Sequence, residues 1–323
     1  MKIVFMGTPD FAQESLKAIY EAGHEILAVV TNPDRPSGRG MKLTASPVKQ
    51  YALEKNLRIY QPQKVRGNEE FIGQIKELQP EVICVVAYGK ILPKEILDIP
   101  EKGCINVHGS LLPKYRGAAP IQWAVINGET ETGITTMYMD IGMDTGDMIL
   151  KQEIKIGEDE TTGEIWEKLS KIGGNLLVET LEKIEKGEAP RTAQGEKFSM
   201  APMLTKENAR INFKIMTANQ IKNLVRGLNP IMGAYAYLES KKIKIWKVQV
   251  LKEEEFTSIL NISQKEIERE EGTVLISDNK IGLYIKAKEG ILKVLEIQGE
   301  NSKRMPVEDY LRGNSIEKGR ILE

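Results

Sequence analysis

Apolar runs alternate with helical stripes through the first half of the chain, and short apolar runs cut by turn residues fill most of the second. Residues 2–6 read as a strand ending at Gly7, 10–21 carry Phe11, Leu16, Ile19 and Tyr20 at helical spacing, and 25–30 return as a strand. This βαβ opening implies a parallel sheet with a right-handed crossover. The alternation continues with predicted helices at 47–55 and 68–78 and strands at 57–60, 81–87 and 104–107, the second of these of the kind buried on both faces. A helix at 118–127, strands at 132–140 and 148–156, and a long amphipathic helix at 162–186 follow. In that helix Ile165, Leu169, Ile172, Leu176, Leu177, Thr180 and Ile184 recur near the helical period, and Gly173 and Gly174 are expected to bend it or allow close packing.

Periodicity is lost over 188–208, where Pro190, Gly195 and Pro202 fall. Beyond it the pattern predicts a helix at 217–227 and five short strands at 234–238, 242–250, 272–277, 281–286 and 290–297. Short strands in that number predict a small barrel of the OB type, a fold often used on nucleic acid. The expected architecture is therefore α/β: a Rossmann-like open, mostly parallel sheet over 1–189, a linker over 190–205, and a smaller OB-like β-barrel over 206–323.

Composition sharpens this picture in three places. A chain of 323 residues with 41% hydrophobic content can fill two cores of ordinary size. The formal charge is −1, yet residues 206–252 hold 10 Lys and Arg against 2 Asp and Glu, a local +8 suited to a polyanionic partner. Residues 253–271 carry seven Glu and read as a solvated insertion. Cys84 and Cys104, each inside an apolar run, are expected to be buried thiols in a reducing compartment. The opening MKIVFMG is too short for a signal sequence, and no stretch approaches the roughly 18 apolar residues of a membrane span, so a cytoplasmic protein is expected.

The candidate chemistry gathers between residues 103 and 150. Asn106 and His108 sit two apart on a predicted strand, so their side chains share one face, and the chain leaves that strand at its carboxyl end, where open α/β sheets bind ligands. Only one other histidine exists, His24, in a helix-to-strand turn that gives it a structural reading. Downstream, the loop 140–147 offers Asp140, Asp144 and Asp147. A carboxylate beside an imidazole favours and orients the imidazolium, while an amide N–H meets developing negative charge. Such a trio without a Cys or Ser nucleophile fits direct acyl or one-carbon transfer. Gly7, Thr8, Pro9 is not GxGxxG and no P-loop pattern occurs, which disfavours a nicotinamide dehydrogenase; no residues stand at metal-ligand spacing. Residues 31–49 form a long basic stretch, expected to be a loop, with Arg35, Arg39, Lys42 and Lys49 against Asp34 alone.

Asn106, His108, the SLLP of 110–113 and Asp144 together resemble the 10-formyltetrahydrofolate-dependent formyltransferases. MGTPDFA at 6–12, NPDRPSGRG at 32–40, SPVK at 46–49, VVAYGKILP at 85–93, MDTGDM at 143–148 and RGLNP at 226–230 resemble, within that family, the branch acting on methionyl-initiator tRNA. The resemblance implies transfer of a formyl group from 10-formyltetrahydrofolate to the methionyl α-amine, without a metal. It implies that Asn106 and His108 donate to the oxyanion and that Asp144 orients His108 and manages the amine proton. It further implies a folate pocket lined by Ser110, Leu111, Leu112 and Pro113, by backbone at Ile91 and Leu92, and by the loop from Asp140. Arg39 is the implied leading contact to the tRNA acceptor stem, with Arg35 and Lys42 beside it; neither a membrane nor a protein partner is called for, and a monomer is the default. The rival readings are a formyltransferase for a small amine such as a ribonucleotide or amino sugar, a folate-dependent hydrolase, and a non-catalytic RNA-binding relative.

Overall fold

The computed structural model describes residues 1–37, 42–260 and 263–323. The chain divides into two compact units, one made of Met1–Ile121, Glu131–Lys155 and Ile165–Met203, the other of Gln122–Thr130, Ile156–Glu164 and Leu204–Glu323.

In the first unit the apolar residues of strand β1 (Lys2–Gly7), Ile3 to Met6, are wholly buried, as a strand covered on both faces requires. Helix α1 (Asp10–Glu21) follows, burying Phe11, Ala12, Ser15, Leu16 and Ile19 along one stripe. The chain continues through β2 (Glu25–Val30), β3 (Arg35–Ser37), β4 (Lys42–Thr44), α2 (Pro47–Glu54), β5 (Ile59–Tyr60), α3 (Glu69–Glu77), β6 (Val82–Val86), α4 (Lys94–Leu97) and β7 (Cys104–His108). Then come α5 (Pro120–Ile126), β8 (Glu131–Tyr138), β9 (Met148–Lys155) and the long α6 (Thr162–Glu185). Local chemistry sets the helix starts: Ser46 accepts from the Lys49 N–H with Pro47 at the first helical position, and Asn68 accepts from Phe71 N–H.

Seven strands pair in the order β5-β2-β1-β6-β7-β8-β9. β1 lies between β2 and β6 and is parallel to both, so the winding reverses there and opens a crevice at the carboxyl ends of the strands. β7 lies parallel beside β6, and β8 and β9 add antiparallel strands, with His108 opposite Thr135. Gly173 fulfils its expected packing role: a methyl group there would stand 3.1 Å from Val107 Cγ1 of β7, and one at Gly174 would stand 3.1 Å from Ala18 Cβ of α1.

Three expectations need correction here. The stretch 31–49 is not one loop, because β3 and β4 pair as a hairpin, Arg35 opposite Thr44, and α2 begins at Pro47. The presumed linker is sewn to the first unit: Thr192 exchanges backbone hydrogen bonds with Met148, and Arg116 does so with Ser199 and Ala201. Single bridges of this kind need no hydrophobic period, so the stretch looked irregular. Nor does one cut separate the units, since 122–130 and 156–164 belong with the second. Ile126 packs against the second unit's core, and the Gly157 and Glu160 carbonyls accept from Arg226 Nη1.

The second unit begins its regular structure with α7 (Ala218–Gly227), started by a capping box in which Thr217 and Gln220 bond reciprocally. Strands β10 (Ala234–Leu238) and β11 (Lys241–Leu251), helices α8 (Glu253–Leu260) and α9 (Gln264–Ile267), strands β12 (Val274–Asp278), β13 (Gly282–Lys286), β14 (Ile291–Gln298) and β15 (Met305–Pro306), and α10 (Val307–Gly313) complete it. The sheet runs β10-β11-β14-β13-β12, antiparallel, with β15 on β14. Its two ends are joined by residues 319–323, which bond to Gly272 and Val274 at one side and, through Glu323, to Tyr237 at the other. That closure gives the barrel character the strand pattern predicted. The Glu-rich stretch is more than a solvated insertion: Phe256 is fully buried and packs with Leu251, Ile267, Leu275, Tyr284 and Ile291. Its apolar foot was masked by the acidic residues around it.

Candidate active site

β7 places Asn106 and His108 on one face, at the edge where parallel pairing to β6 gives way to antiparallel pairing to β8. His108 is buried, and its Nε2 lies 2.9 Å from the Tyr115 carbonyl oxygen. A carbonyl can only accept, so Nε2 carries a proton and donates. Nδ1 faces Asp144 Oδ2 at 3.6 Å, an ion-pair distance rather than a hydrogen bond. Asn106 Nδ2 approaches the other carboxylate oxygen, Asp144 Oδ1, at 3.4 Å. Two side-chain nitrogens on one strand thus converge on one carboxylate, and neither is tightly engaged.

Asp144 itself is firmly held. The Gly117 N–H donates to its Oδ2 at 2.8 Å, and its backbone adopts the left-handed region with φ +55°, sparsely populated by residues other than glycine. Around it, Asp140 Oδ1 accepts from Gly142 N–H at 2.9 Å and from Thr145 Oγ1 at 2.6 Å, which ties the loop to itself. Asp147 ties the end of the loop to its surroundings: its carbonyl accepts from Tyr138 N–H, and its carboxylate pairs with Arg191 at 3.3 Å while that guanidinium lies 4.0 Å from the Tyr138 ring centre. Two further groups were missed from sequence: the Gln194 carboxamide donates to the Asp144 and Gly146 carbonyls, and Arg116 Nε donates to Gln194.

The loop 110–113 is built from the inside. Ser110 Oγ donates to the Lys114 carbonyl, Thr135 Oγ1 donates to the Ser110 carbonyl, the Leu112 N–H donates to Thr135 Oγ1, and Lys151 Nζ donates to the Leu112 carbonyl. Leu112 is fully buried against Met137 and Met148, so its side chain is core and not pocket lining; the expectation for it survives only for its backbone. Leu111 is half-buried and packs over Gly133, where an added methyl would meet its Cδ2 at 2.5 Å. Leu92 is buried in the sheet core, whereas Ile91 is 76% exposed beside it at the mouth of β6.

Arg35 is exposed on β3, Lys42 lies on β4, and Arg39 lies outside the described residues. The hairpin is anchored by Asp34, which accepts from Lys49 Nζ at 2.7 Å and Gln61 Nε2 at 2.9 Å. Burial, helped by the nearby Arg35 charge, holds the Lys90 ammonium below its usual pKa. Burial raises the Cys104 thiol to about 12, with Asp98 adding to it, and pushes Cys84 up as well, so neither is a ready thiolate nucleophile. Among the described residues no group of three or more His, Cys, Asp or Glu could hold a metal ion.

Residues 1–181 match the family described as formyl transferase, and 203–315 match the formyl transferase C-terminal domain. The chain is 50% identical over 324 residues to the methionyl-tRNA formyltransferase of Caldanaerobacter subterraneus subsp. tengcongensis, and 52% identical over 323 residues to that of Clostridioides difficile, with the whole of each chain covered in both cases. This chain belongs to the methionyl-tRNA formyltransferase family. More distant likenesses show the fold alone. WlaRD, a sugar 3N-formyl transferase, superposes with a TM-score of 0.63 at 19% identity over 94% of this chain and 99% of its own. HypX from Aquifex aeolicus, solved with tetrahydrofolic acid, gives 0.63 at 16% identity over 96% of this chain, which spans 47% of that larger protein. Methionyl-tRNA formyltransferases and small-amine formyltransferases therefore share this sheet, and the full-length identity separates them. No helix among the described residues is long and apolar enough to cross a membrane.

Proposed function

We propose that Asn106, His108 and Asp144 carry the transfer of the formyl group of 10-formyltetrahydrofolate to the α-amine of methionyl-initiator tRNA. The observation that carries this reading is the convergence of Asn106 Nδ2, at 3.4 Å, and His108 Nδ1, at 3.6 Å, on the Asp144 carboxylate. A formyl oxygen entering there accepts from Asn106 Nδ2, and from His108 Nδ1 when the ring holds a proton on both nitrogens, so negative charge developing there is stabilised by groups already in place. The amine nitrogen bonds to the formyl carbon as the bond from that carbon to N10 breaks. Asp144, through water, receives the proton the amine loses and returns it by the same route to N10 as N10 leaves.

The folate is held by backbone of 110–113, by the exposed turn at Ile91 with Leu92 beneath it, and by the loop from Asp140. Exposed apolar side chains suited to a flat ring stand there, Ile91 at 76% and Ile141 at 80% exposed. On the tRNA side, Arg35, Arg39 and Lys42 are assigned to the acceptor stem, and the basic stretch that opens the second unit to a further nucleic-acid contact. There Arg210 is exposed, its guanidinium 5.6 Å from the Tyr237 ring centre, and Lys242 Nζ stands 3.5 Å from the centre of the buried Tyr235 ring. Cations on this face suit the phosphates of an RNA end.

The reaction runs in the cytoplasm, where charged tRNA is found, and needs neither a membrane nor a protein partner. Single-turnover transfer by the purified chain tests this, with elongator methionyl-tRNA, free methionine and water as competing acceptors. Rapid labelling of initiator tRNA alone is expected; labelled small amines or released formate would overturn the acceptor.

A further inference from the structure

Residues 190–205 do something for the site that their irregular pattern conceals. Thr192 bonds to Met148 at 2.9 and 3.0 Å, and Arg116 bonds to Ser199 at 2.8 Å and to Ala201 at 2.7 Å, so the segment spans from the start of β9 to the 115–117 turn. Between these two attachments lies Gln194, buried at 8% exposure. Its carboxamide is fully used: Nε2 donates to the Asp144 carbonyl at 2.8 Å and to the Gly146 carbonyl at 2.7 Å, while Oε1 accepts from Arg116 Nε at 2.8 Å. Arg116 is equally buried, and its guanidinium centre lies 4.5 Å from the Phe198 ring centre, so the donor that orients Gln194 is itself fixed.

The next residue along, Gly117, gives its N–H to Asp144 Oδ2 at 2.8 Å. Asp144 is thereby held twice from one dipeptide, its carboxylate through Gly117 and its backbone through Arg116 and Gln194. That backbone has φ +55°, a conformation that persists only where the surroundings impose it. Gly146 leaves no slack either, because a Cβ there would lie 1.8 Å from the Tyr138 carbonyl oxygen. We infer that Gln194, oriented by Arg116, is a positioning residue that sets the Asp144 carboxylate against His108 and Asn106 for formyl transfer. The inference rests on the reading of Asp144 as catalytic. Gln194 acts only through the loop, and the effect expected of it is on the chemical step, where a displacement of about 1 Å can cost about 100-fold.

Gln194→Leu removes the donors at similar volume, and Gln194→Glu keeps the acceptor for Arg116 while losing the donors; both are compared with Asp144→Asn and with the double variant Gln194→Leu/Asp144→Asn. In single-turnover transfer, either Gln194 variant is expected to be slowed about 10- to 100-fold with KM for both substrates unchanged within about twofold. In the Asp144→Asn background, Gln194→Leu is expected to add less than about a twofold loss, since residues acting as one unit are not additive. A wild-type rate in either Gln194 variant, or a loss that multiplies fully in the double variant, would overturn the inference while leaving the catalytic reading standing. A wild-type rate in Asp144→Asn alone would overturn the catalytic reading and this inference with it.

Discussion

The two histidines of the chain stand at opposite kinds of strand end, and their surroundings differ more than their exposure. His24 precedes β2, and its Nδ1 lies 3.3 Å from the terminal ammonium of Met1, so the ring accepts. Burial lowers its pKa, the adjacent ammonium lowers it further, and Glu185, Glu182 and Glu81 only partly offset both. His108 closes β7 with oxygen at both nitrogens, the Tyr115 carbonyl at Nε2 and the Asp144 carboxylate at Nδ1. One ring is set up to remain a neutral acceptor; the other is set up to donate. The lesson is that a histidine's chemistry is written in the atoms its neighbours present, and the turn from 109 to 117 exists largely to present them.

The widest gap between the two regions is expected in catalysis. His108→Ala is predicted to slow single-turnover transfer by about 10² to 10³, the usual loss for one donor to a developing oxyanion, with the fold intact by circular dichroism. His24→Ala is predicted to stay within about twofold of the parent. Equal losses at the two positions would erase the distinction.

A smaller effect distinguishes them through pH. Because burial and the Met1 ammonium hold the folded-state pKa of His24 below the ordinary histidine range, the unfolded chain binds the extra proton first as pH falls. Its contribution to stability is therefore full at neutral pH and declines on acidification. His24→Gln is predicted to lose less of its thermal midpoint than the parent between about pH 7.5 and 5.5. A parent and variant that fall in parallel would mean the Met1 contact does not govern the ring.

Much of the fold was legible because the sheet is buried on both faces: Ile3 to Met6 and Val82 to Val86 cannot be mistaken for surface. The placing of Asn106 with His108 on one face followed from strand period alone, whereas the loop beyond β8 offered several carboxylates and only the family resemblance singled out Asp144. What stayed hidden was held by bonds that leave no period. Gln194 recognises two backbone carbonyls, which any sequence supplies, so nothing at its own position marks it. Leu112 was expected in the pocket lining, and only its contact with Met137 and Met148 decides for core. Phe256 was obscured by its acidic neighbours, although Phe256 and Leu260 already share a helical face in the sequence.

The most direct test is the rate of the chemical step in Asp144→Asn, measured at saturating 10-formyltetrahydrofolate and methionyl-initiator tRNA. The substitution keeps an oxygen for the Gly117 N–H and removes the charge that faces His108, the oxygen that faces Asn106 Nδ2 and the base proposed to receive the amine proton. A fall of about 10² to 10³ with both substrates still bound is predicted. A rate near that of the parent would contradict the assignment of Asn106, His108 and Asp144 as the group that carries the transfer.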